Sequence, residues 1–299
     1  MSSLNGYVLY NGFWNENTVP DTVSRLCEAG AALGYTLTPR KNTSFAAAWS
    51  EHGARVCGVG GEADVQAGDV VFCFDKDTRL LTAMEAAGAR VFNGAEAVIL
   101  CDDKAKTHAV LAAAGVPMPK TLVAPMTYVD YTAAGDGFLA FGAKELGFPL
   151  VVKECFGSLG EQVYLARDEQ ELKTLAGRMK HRPFLLQEFI AESAGTDKRL
   201  YVVGDRVVAA MRRRSAGDFR ANIGLGGAGE PYTPTEEEIA LALKSCRLTG
   251  LQFGGVDILD SDRGPLVCEV NSGAQLKGIT AATGVDVATE ILQYVNSLL

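Results

Sequence analysis

The feature that most limits the fold of this chain is the alternation of short apolar runs with helical segments over its first 100 residues. Helical patterns cover residues 22–33, which end at Gly34, and residues 79–87, which end at Gly88. The apolar runs that predict strands are residues 7–10, 36–38, 55–59, 70–74 and 90–92. Such alternation is typical of parallel sheets, so the sequence predicts a small open α/β layer over this region.

The rest of the chain mixes helices with antiparallel hairpins, which predicts lobes of the α+β kind. The predicted helices are residues 102–114, 168–179 and 235–248, with a terminal helix from residue 285. The predicted strands are residues 150–153, 162–166, 184–190, 255–259 and 265–271. A hairpin over residues 200–211 turns at Gly204 and Asp205, and Thr235 with Glu238 forms the capping-box pattern of a helix start.

Composition excludes several classes of protein. The chain has 299 residues, enough for two or three compact units, and a net charge of −8 with a pI near 5.1. An acidic chain without a dominant basic face disfavours a nucleic-acid binder. No apolar stretch reaches the roughly 18 residues of a membrane span, and the first residues lack a signal-peptide pattern. Seven singly placed cysteines indicate reduced thiols in a cytoplasmic protein.

Three oxygen-bearing side chains near the end of the chain predict a metal site. Asp257 and Glu269 flank the turn DSDRGP, so a hairpin symmetric about Arg263 places their carboxylates opposite each other, and Asn271 points to the same face. Because facing carboxylates repel, a divalent cation between them would stabilise the hairpin, and oxygen ligands suit magnesium. Neutralising either carboxylate is expected to leave the metal-free fold intact or slightly more stable. The alternative is a solvent-facing polar stripe.

A strand followed by a glycine-rich loop predicts a phosphate site. PLVVKECFGSLGEQVYL delivers Lys153 at a strand end and continues through Gly157 and Ser158. Backbone N–H groups of such a loop can close over phosphates while the lysine neutralises them, although glycine-rich turns also occur without a ligand. Further cations that could converge there are Lys104, Arg212, Arg213, Arg214 and Arg220, the last followed by Asn222. The alternative for the arginine run is a solvated loop.

Other patterns do not predict a site. GLGGAG at residues 224–229 fits a dinucleotide fingerprint but does not lie between a strand and a helix, which predicts a mobile loop. The chain has no Walker loop and no serine in a nucleophile-elbow sequence. The histidines, His52, His108 and His181, stand alone and are predicted to be structural or exposed.

Together these segments resemble the RimK-type branch of the ATP-grasp superfamily. PLVVKE, LLQEFI, GTDKRLYVVGDRVVAAM, GDFRAN, GGVDIL and GPLVCEVN occur in the family's order with similar spacing, and CDDK near residue 103 extends the match. The resemblance implies an ATP-grasp fold of the α/β class. Its parts would be an N-terminal pre-grasp domain at residues 1–100, a central lobe at 101–186 and a C-terminal lobe at 187–299.

The resemblance also implies roles for residues at matching motif positions. The phosphates of ATP would be contacted by Lys104, Lys153, Gly157 and Ser158. The adenine would meet Glu188 and Phe189, largely through their backbone, with Asp197 on the ribose side. The residues facing the phosphates and the reacting centre would be Arg213, Arg220 and Asn222, and catalysis would rest on Lys153, Arg213 and Arg220. Two magnesium or manganese ions would be held by Asp257, Glu269 and Asn271.

The implied activity is that of an ATP-dependent carboxylate–amine ligase. A carboxylate attacks the γ-phosphate, and the acyl-phosphate then meets an amine, giving an amide, ADP and phosphate. The family makes an L-amino acid such as glutamate the first candidate donor and a peptide, protein or small-molecule carboxylate the acceptor; a homo-oligomer is expected. The alternatives are a D-alanine–D-alanine or glutathione-synthase type of ligase and a non-catalytic ATP-binding regulatory module, as in synapsin-like proteins.

Two segments depart from the family's pattern. The glycine loop continues with Glu161 and Gln162, where relatives commonly have smaller or apolar residues. After Asn271 the chain reads SGAQLKGI, and Lys277 replaces the acidic residue of the best-known members. We expect Lys277 and the arginine run at residues 212–214 to attract the carboxylates of the substrates.

Overall fold

The computed structural model describes residues 4–14 and 17–299. Its strands are β1 (Asn5–Tyr10), β2 (Thr36–Lys41), β3 (Phe45–Ser50), β4 (Gly53–Gly58), β5 (Val70–Cys73), β6 (Arg90–Phe92), β7 (Thr121–Val123), β8 (Leu150–Glu154), β9 (Val163–Ala166), β10 (Phe184–Glu188), β11 (Thr196–Val203), β12 (Arg206–Arg214), β13 (Ala228–Pro231), β14 (Phe253–Leu259) and β15 (Leu266–Asn271). Its α-helices are α1 (Asp21–Ala32), α2 (Thr78–Ala86), α3 (Ala95–Asp102), α4 (Lys104–Ala113), α5 (Asp136–Leu146), α6 (Glu169–Met179), α7 (Glu236–Thr249), α8 (Leu276–Thr283) and α9 (Val287–Leu298).

Four parallel strands form the first sheet, in the order β2-β1-β5-β6. Both of its faces are covered. Val8 and Phe72 enter the core on one side, whereas Leu9 and Val71 enter the core on the other. This two-sided burial explains why the strands read as continuous apolar runs, and it confirms the predicted open parallel layer.

Residues 55–59 do not join that sheet as the sequence predicts. They lie mainly in β4, which pairs with β3 as a separate antiparallel hairpin and packs against α2. The sequence of β3 is FAAAWS, and its three consecutive alanines carry little strand preference. The sequence therefore does not predict β3, the strand with which β4 pairs instead of joining the parallel sheet.

The central sheet has the order β7-β10-β8-β9 and is antiparallel throughout. The helices α5 and α6 pack against it. The buried residues of its core include Leu150, Val152, Leu172, Phe184 and Leu186. All members of this core lie between residues 122 and 186, so the central sheet has a hydrophobic core of its own.

The large sheet has the order β13-β12-β11-β14-β15 and is also antiparallel. Alternate residues of β11 enter different cores, because successive side chains of a strand point to opposite faces. Tyr201 and Val203 share a core with residues of α8 and α9, whereas Leu200 and Val202 share one with residues of α7. The predicted hairpin between β11 and β12 is confirmed, and so is the capping box of Thr235 at the start of α7.

The first sheet and the large sheet share one hydrophobic core. Its members from the two sheets and from α9 include Val8, Phe72, Tyr201, Phe253 and Ile291.

Asn93, fully buried beyond the end of β6, ties the same two sheets together by hydrogen bonds. Its Nδ2 donates to the carbonyl oxygens of Phe253 and Ser272, at 2.8 and 3.0 Å, and its Oδ1 accepts from the backbone N–H groups of Gln252 and Phe253. Because the amide uses all its hydrogen-bonding capacity, its burial is fully compensated.

Some short elements differ from the predicted pattern. The sequence does not predict α3, α8 or β7, and residues 228–229 of the predicted loop 224–229 belong to β13, which pairs with β12. The sequence of α3, AEAVILCD, is apolar on most sides, and α8 begins without a side-chain cap. The amphipathic stripe that predicts a helix is thus missing from α3, and the side-chain cap that predicts one is missing from α8.

None of the helices in residues 4–14 and 17–299 is long and apolar enough to cross a bilayer. All seven cysteines are free thiols, four of them buried. The predicted domain bounds at residues 100 and 186 stay predictions.

Candidate active site

An open cleft lies between the central sheet and the large sheet, a position typical of ligand sites. The predicted site residues that line it are Lys104, Lys153, Gly157, Ser158, Glu188, Phe189, Asp197, Arg213, Arg220, Asn222, Asp257 and Glu269. Asn271, to which the resemblance assigns a metal-binding role, does not line the cleft, and it contacts the cleft through Asp257. The structure thus brings together residues that lie up to 165 positions apart in the sequence.

The two predicted carboxylates are paired as the sequence predicts. Asp257 on β14 lies opposite Glu269 on β15, and the register then shifts so that Ile258 pairs with Val267. This bulge leaves Cys268 without a paired residue, and Cys268 also lines the cleft. The side-chain amide of Asn271 donates to Asp257 Oδ2 at 3.4 Å. One hairpin therefore presents two carboxylates and an amide together.

Arginines neutralise Asp257. Arg199, which pairs with Asp257 across β11 and β14, donates to both of its carboxylate oxygens at 2.7 Å. Arg213 lies 2.9 Å from Asp257 and also binds Asp197 through two hydrogen bonds of 2.6 Å. Burial alone would raise the pKa of Asp257, but the two guanidinium groups outweigh it and lower the pKa to about 2. Arg199 is not among the predicted site residues, although its spacing from Asp197 along β11 places both on one face.

Glu269 also has a cation. Lys104, the first residue of α4, lies 3.2 Å from its carboxylate, and its Nζ donates to the Gly157 carbonyl at 3.4 Å. Burial would raise the pKa of Glu269, yet Lys104 lowers it below the ordinary value. Since each carboxylate of the hairpin is already paired, their repulsion is compensated. These ion pairs argue against the expectation that neutralising either carboxylate leaves the metal-free fold intact or slightly more stable, because a buried cation would lose its partner.

The glycine loop after β8 closes one side of the cleft. Gly157 and Gly160 have φ of +147° and +79°, a region that favours glycine, and Leu159 has φ of +60°. Arg220, in the segment between β12 and β13, donates to the carbonyl oxygens of Gly160 and Val163, at 2.7 and 3.2 Å, and so holds the loop in place.

Lys153, at the base of the same loop, points into the cleft. It is buried, and its Nζ donates to Cys268 Sγ at 3.4 Å. A buried ammonium group whose described partner is a thiol keeps donors available for a phosphate.

Two aromatic rings form another part of the wall. Phe189 and Phe219 meet edge to face with ring centres 6.4 Å apart, and Arg220 lies 5.6 Å from the centre of the Phe219 ring. Such rings offer a surface for a flat, aromatic ligand group.

The Glu188 carboxylate is bound to Arg263 at 2.8 Å and to the backbone N–H of Lys120. The side chain of Glu188 is thus already engaged, in keeping with the predicted backbone contact.

Only the middle arginine of the run at residues 212–214 faces the cleft, because side chains alternate along β12. Arg212 lies over the ring of Tyr232, and Arg214 pairs with Glu230 at 3.1 Å. This corrects the expectation that the whole run acts on substrate carboxylates. Lys277 is exposed on α8 and does not line the cleft, so its part in acceptor recognition stays a prediction.

The donor set of the hairpin fits magnesium. Within residues 4–14 and 17–299 no group of three or more histidine, cysteine or acidic side chains could hold a metal ion. Asp257, Glu269 and Asn271 instead offer carboxylate and amide oxygens, the ligands that magnesium takes while it keeps water and phosphate oxygens in its other positions. Because Lys104, Arg199 and Arg213 already offset the charge of the two carboxylates, a bound metal ion needs further negative ligands. The phosphates of a nucleotide supply them.

Comparison with known proteins shows which sequences and structures this chain resembles. Residues 101–295 match the model of a family described as the RimK-like ATP-grasp domain. A "Probable alpha-L-glutamate ligase" of Stenotrophomonas maltophilia is 39% identical over 227 residues, which cover 74% of this chain and 74% of that protein. A RimK domain ATP-grasp protein from Sphaerobacter thermophilus has a similar structure, with a TM-score of 0.72 at 20% identity over 97% of this chain and 98% of that one. The ATP-grasp ligase PsnB, complexed with a variant of its minimal precursor, Mg and ADP, gives a TM-score of 0.69 at 20% identity over 99% of each chain.

Proposed function

Because the chain belongs to the RimK-like ATP-grasp family and is a ligase, we propose that it joins an acceptor's carboxylate to the amine of an L-amino acid while ATP is converted to ADP and phosphate. One observation carries this proposal. The facing carboxylates Asp257 and Glu269 share a cleft with Lys104, Lys153 and a glycine loop. Oxygen ligands for a cation and positive groups for phosphates thus occur together, as phosphoryl transfer requires.

The reaction proceeds in two steps. An oxygen of the acceptor carboxylate attacks the γ-phosphorus of ATP, an O–P bond forms, the bond from that phosphorus to the bridging oxygen breaks, and ADP leaves. The amine nitrogen then attacks the acyl carbon, a C–N bond forms, and the bond to the phosphate oxygen breaks. The nitrogen gives its proton to the departing phosphate or to water. Neither step needs a nucleophile from the enzyme.

The residues of the chain bind and orient the reacting groups. Lys104 and Lys153 contact the phosphates, and Arg213 and Arg220 stabilise the charge that develops on the transferred phosphoryl group. Magnesium, or manganese in its place, held as two ions by Asp257, Glu269 and Asn271, would supply further charge neutralisation at the γ-phosphate. Gly157 and Ser158 close the loop over the phosphates, with Asn222 at the opposite wall.

The adenine lies against Phe189 and Phe219 in this proposal. Its edge meets the backbone at Glu188, whose carboxylate is bound elsewhere. Asp197 is the predicted ribose contact, but both of its carboxylate oxygens accept hydrogen bonds from Arg213. A ribose hydroxyl would therefore share Asp197 with that arginine.

L-Glutamate is the first candidate for the amine. The relative in Stenotrophomonas maltophilia, 39% identical, is described as a "Probable alpha-L-glutamate ligase", so L-glutamate is the amine to test first. PsnB is complexed with a precursor in its structure, so a peptide carboxylate is the acceptor to test first.

The test is a matrix of L-amino acids and short peptides, each peptide offered as a free acid and as an amide. We expect ADP release with ATP and magnesium to require both a free acid and an amine, and mass spectrometry to show an added amino-acid residue. Hydroxylamine in place of the amino acid should trap the acyl-phosphate as a hydroxamate.

Matched variants complete the test. Glu269→Gln should abolish turnover, whereas Asp262→Asn, an exposed residue in the turn of the same hairpin, should retain it. Nucleotide binding without any turnover across the matrix would instead indicate the regulatory ATP-binding module, and ADP release that needs no carboxylate would contradict the proposed ligase.

A further inference from the structure

Lys76 reaches the glycine loop from outside the segment that matches the family model. It follows β5 at the carboxyl edge of the first sheet, and the family match begins at residue 101. Its backbone N–H donates to Asp75 Oδ1 at 2.7 Å, and the Asp75 carboxylate in turn accepts from Asn11 at 3.3 Å. The root of the Lys76 side chain is thus fixed on the first sheet.

The tip of Lys76 is fixed at two further points. Its Nζ donates to Asp102 Oδ1 at 2.5 Å and to the Gly157 carbonyl oxygen at 3.2 Å. Lys104 Nζ donates to that same carbonyl at 3.4 Å. Two ammonium groups that bind one carbonyl oxygen repel each other. Each of them here pairs with a carboxylate that offsets its charge, Lys76 with Asp102 and Lys104 with Glu269.

Holding this carbonyl determines where the next N–H points. A trans peptide unit is planar, and its C=O and N–H point in opposite directions. Lysines that fix the Gly157 carbonyl therefore also direct the Ser158 N–H the other way. In the structure that N–H donates to the side-chain oxygen of Gln162 at 3.1 Å, and Ser158 and Gln162 both line the cleft.

We propose that Lys76 is a positioning residue for the nucleotide: by binding the Gly157 carbonyl it turns the Ser158 N–H toward the phosphates. This rests on the proposed function, in which ATP occupies the cleft. Gln162 is one of the residues in which the loop departs from the family's pattern. Its amide oxygen marks the direction in which the Ser158 N–H donates a hydrogen bond. A phosphate oxygen takes that place, and Lys76 itself contacts the loop rather than the substrate.

The first measurement needs no nucleotide. Hydrogen exchange at the Ser158 amide, followed by NMR, should become faster in Lys76→Met than in the wild type, because the carbonyl loses one of its two donors. Lys76→Arg keeps a charged donor and should restore slow exchange. Lys173→Met is the control, since Lys173 is similarly exposed and pairs with Asp136 on the central sheet's helices at 3.3 Å.

The second measurement is the affinity for ATP with magnesium, by calorimetry. Loss of a charged hydrogen bond should weaken ATP binding by about tenfold in Lys76→Met, with Lys76→Arg and Lys173→Met within about twofold of the wild type. The KM for the peptide acceptor should not change, because Lys76 does not touch it. Lys76→Gln, which keeps a neutral donor, replaces Lys76→Met if that variant does not fold.

The outcomes are distinct. Unchanged Ser158 exchange together with unchanged ATP affinity in Lys76→Met overturns the assignment and leaves the proposed function standing. An increased acceptor KM with normal ATP affinity also overturns it, because Lys76 would then act on the acceptor. Failure of the wild type to bind ATP overturns the proposed function, whereas the exchange experiment still reports whether Lys76 orients the loop.

Discussion

Asp257 illustrates, at the scale of single residues, how a buried charge depends on its partners. Its carboxylate accepts hydrogen bonds from Arg199 and Arg213, all three groups being largely buried. In Asp257→Asn the arginines lose a negative partner, so we expect the free energy of unfolding to fall by about 3 kcal/mol and turnover to be lost. Urea unfolding measures the first effect.

The control for this prediction is Asp262→Asn in the exposed turn, for which we expect a change within about 0.5 kcal/mol. An Asp257→Asn protein as stable as the wild type would show that the arginines relax to water or to Asp197 without loss.

His108 links the stability of the protein to pH. Its ring is buried between the Lys104 carbonyl, 2.6 Å from Nδ1, and Gln187, 3.0 Å from Nε2. Burial, and then the charge of Lys153, lower its pKa to about 4, whereas the hydrogen bond with the Lys104 carbonyl and the charge of Glu269 act in the opposite direction. The folded pKa lies below that of the unfolded chain, so the unfolded state binds more protons between these values.

The contribution of His108 to the free energy of unfolding is therefore fully present above its unfolded pKa of about 6.5. It is lost as the pH falls toward 4, and the total loss is about 3 kcal/mol. His108→Gln removes the titration and keeps an uncharged side chain that can hydrogen bond. We expect its free energy of unfolding to fall less between pH 7 and pH 4.5 than that of the wild type, in parallel urea titrations. Equal pH dependence in the two proteins would contradict the burial argument, since the carboxylates titrate in both.

At the scale of elements, the glycine loop depends on a backbone that only glycine adopts easily. A Cβ on Gly157 would lie 2.4 Å from the Gln162 side-chain oxygen, and the φ of +147° is strained for any other residue. Gly157→Ala should therefore weaken ATP binding by about tenfold through a displaced loop, measured by calorimetry.

Gly177→Ala on α6 is the matched control. A Cβ there meets nothing within 4 Å, and alanine should stabilise the helix by about 0.5–1 kcal/mol without any effect on ATP affinity. Normal ATP binding by Gly157→Ala would mean that the loop does not close on the nucleotide.

The elements that the sequence predicts are those with a clear period or cap. The hairpin of β11 and β12 alternates and turns at a glycine, and α7 has a complete capping box. The facing of Asp257 and Glu269 also follows from the spacing of strands and turn alone. By contrast β13, with the sequence AGEP, is a strand only because β12 lies beside it. The role of Arg199 depends on a pairing between β11 and β14 that no local pattern reveals.

At the scale of the whole molecule, the cleft joins the central and large sheets, so a nucleotide should stabilise both together. At a concentration 100 times its Kd, ATP with magnesium should add about 2.7 kcal/mol and raise the unfolding temperature by about 4 °C for a chain of this length. Scanning calorimetry measures this shift. NAD, which lacks a γ-phosphate, should give none, and a larger shift with NAD than with ATP would contradict the proposed site.

The way in which the hydrophobic cores are divided determines which sheets can move relative to each other. The first and large sheets are stiffly joined because separating them would expose one continuous apolar interior, whereas the central sheet encloses its own. The contacts across the cleft, such as those from Arg220 to Gly160 and from Arg263 to Glu188, are polar, and water can replace them at small net cost. We therefore expect the central sheet to move relative to the rest of the chain when a nucleotide enters or leaves the cleft, with both hydrophobic interiors kept intact.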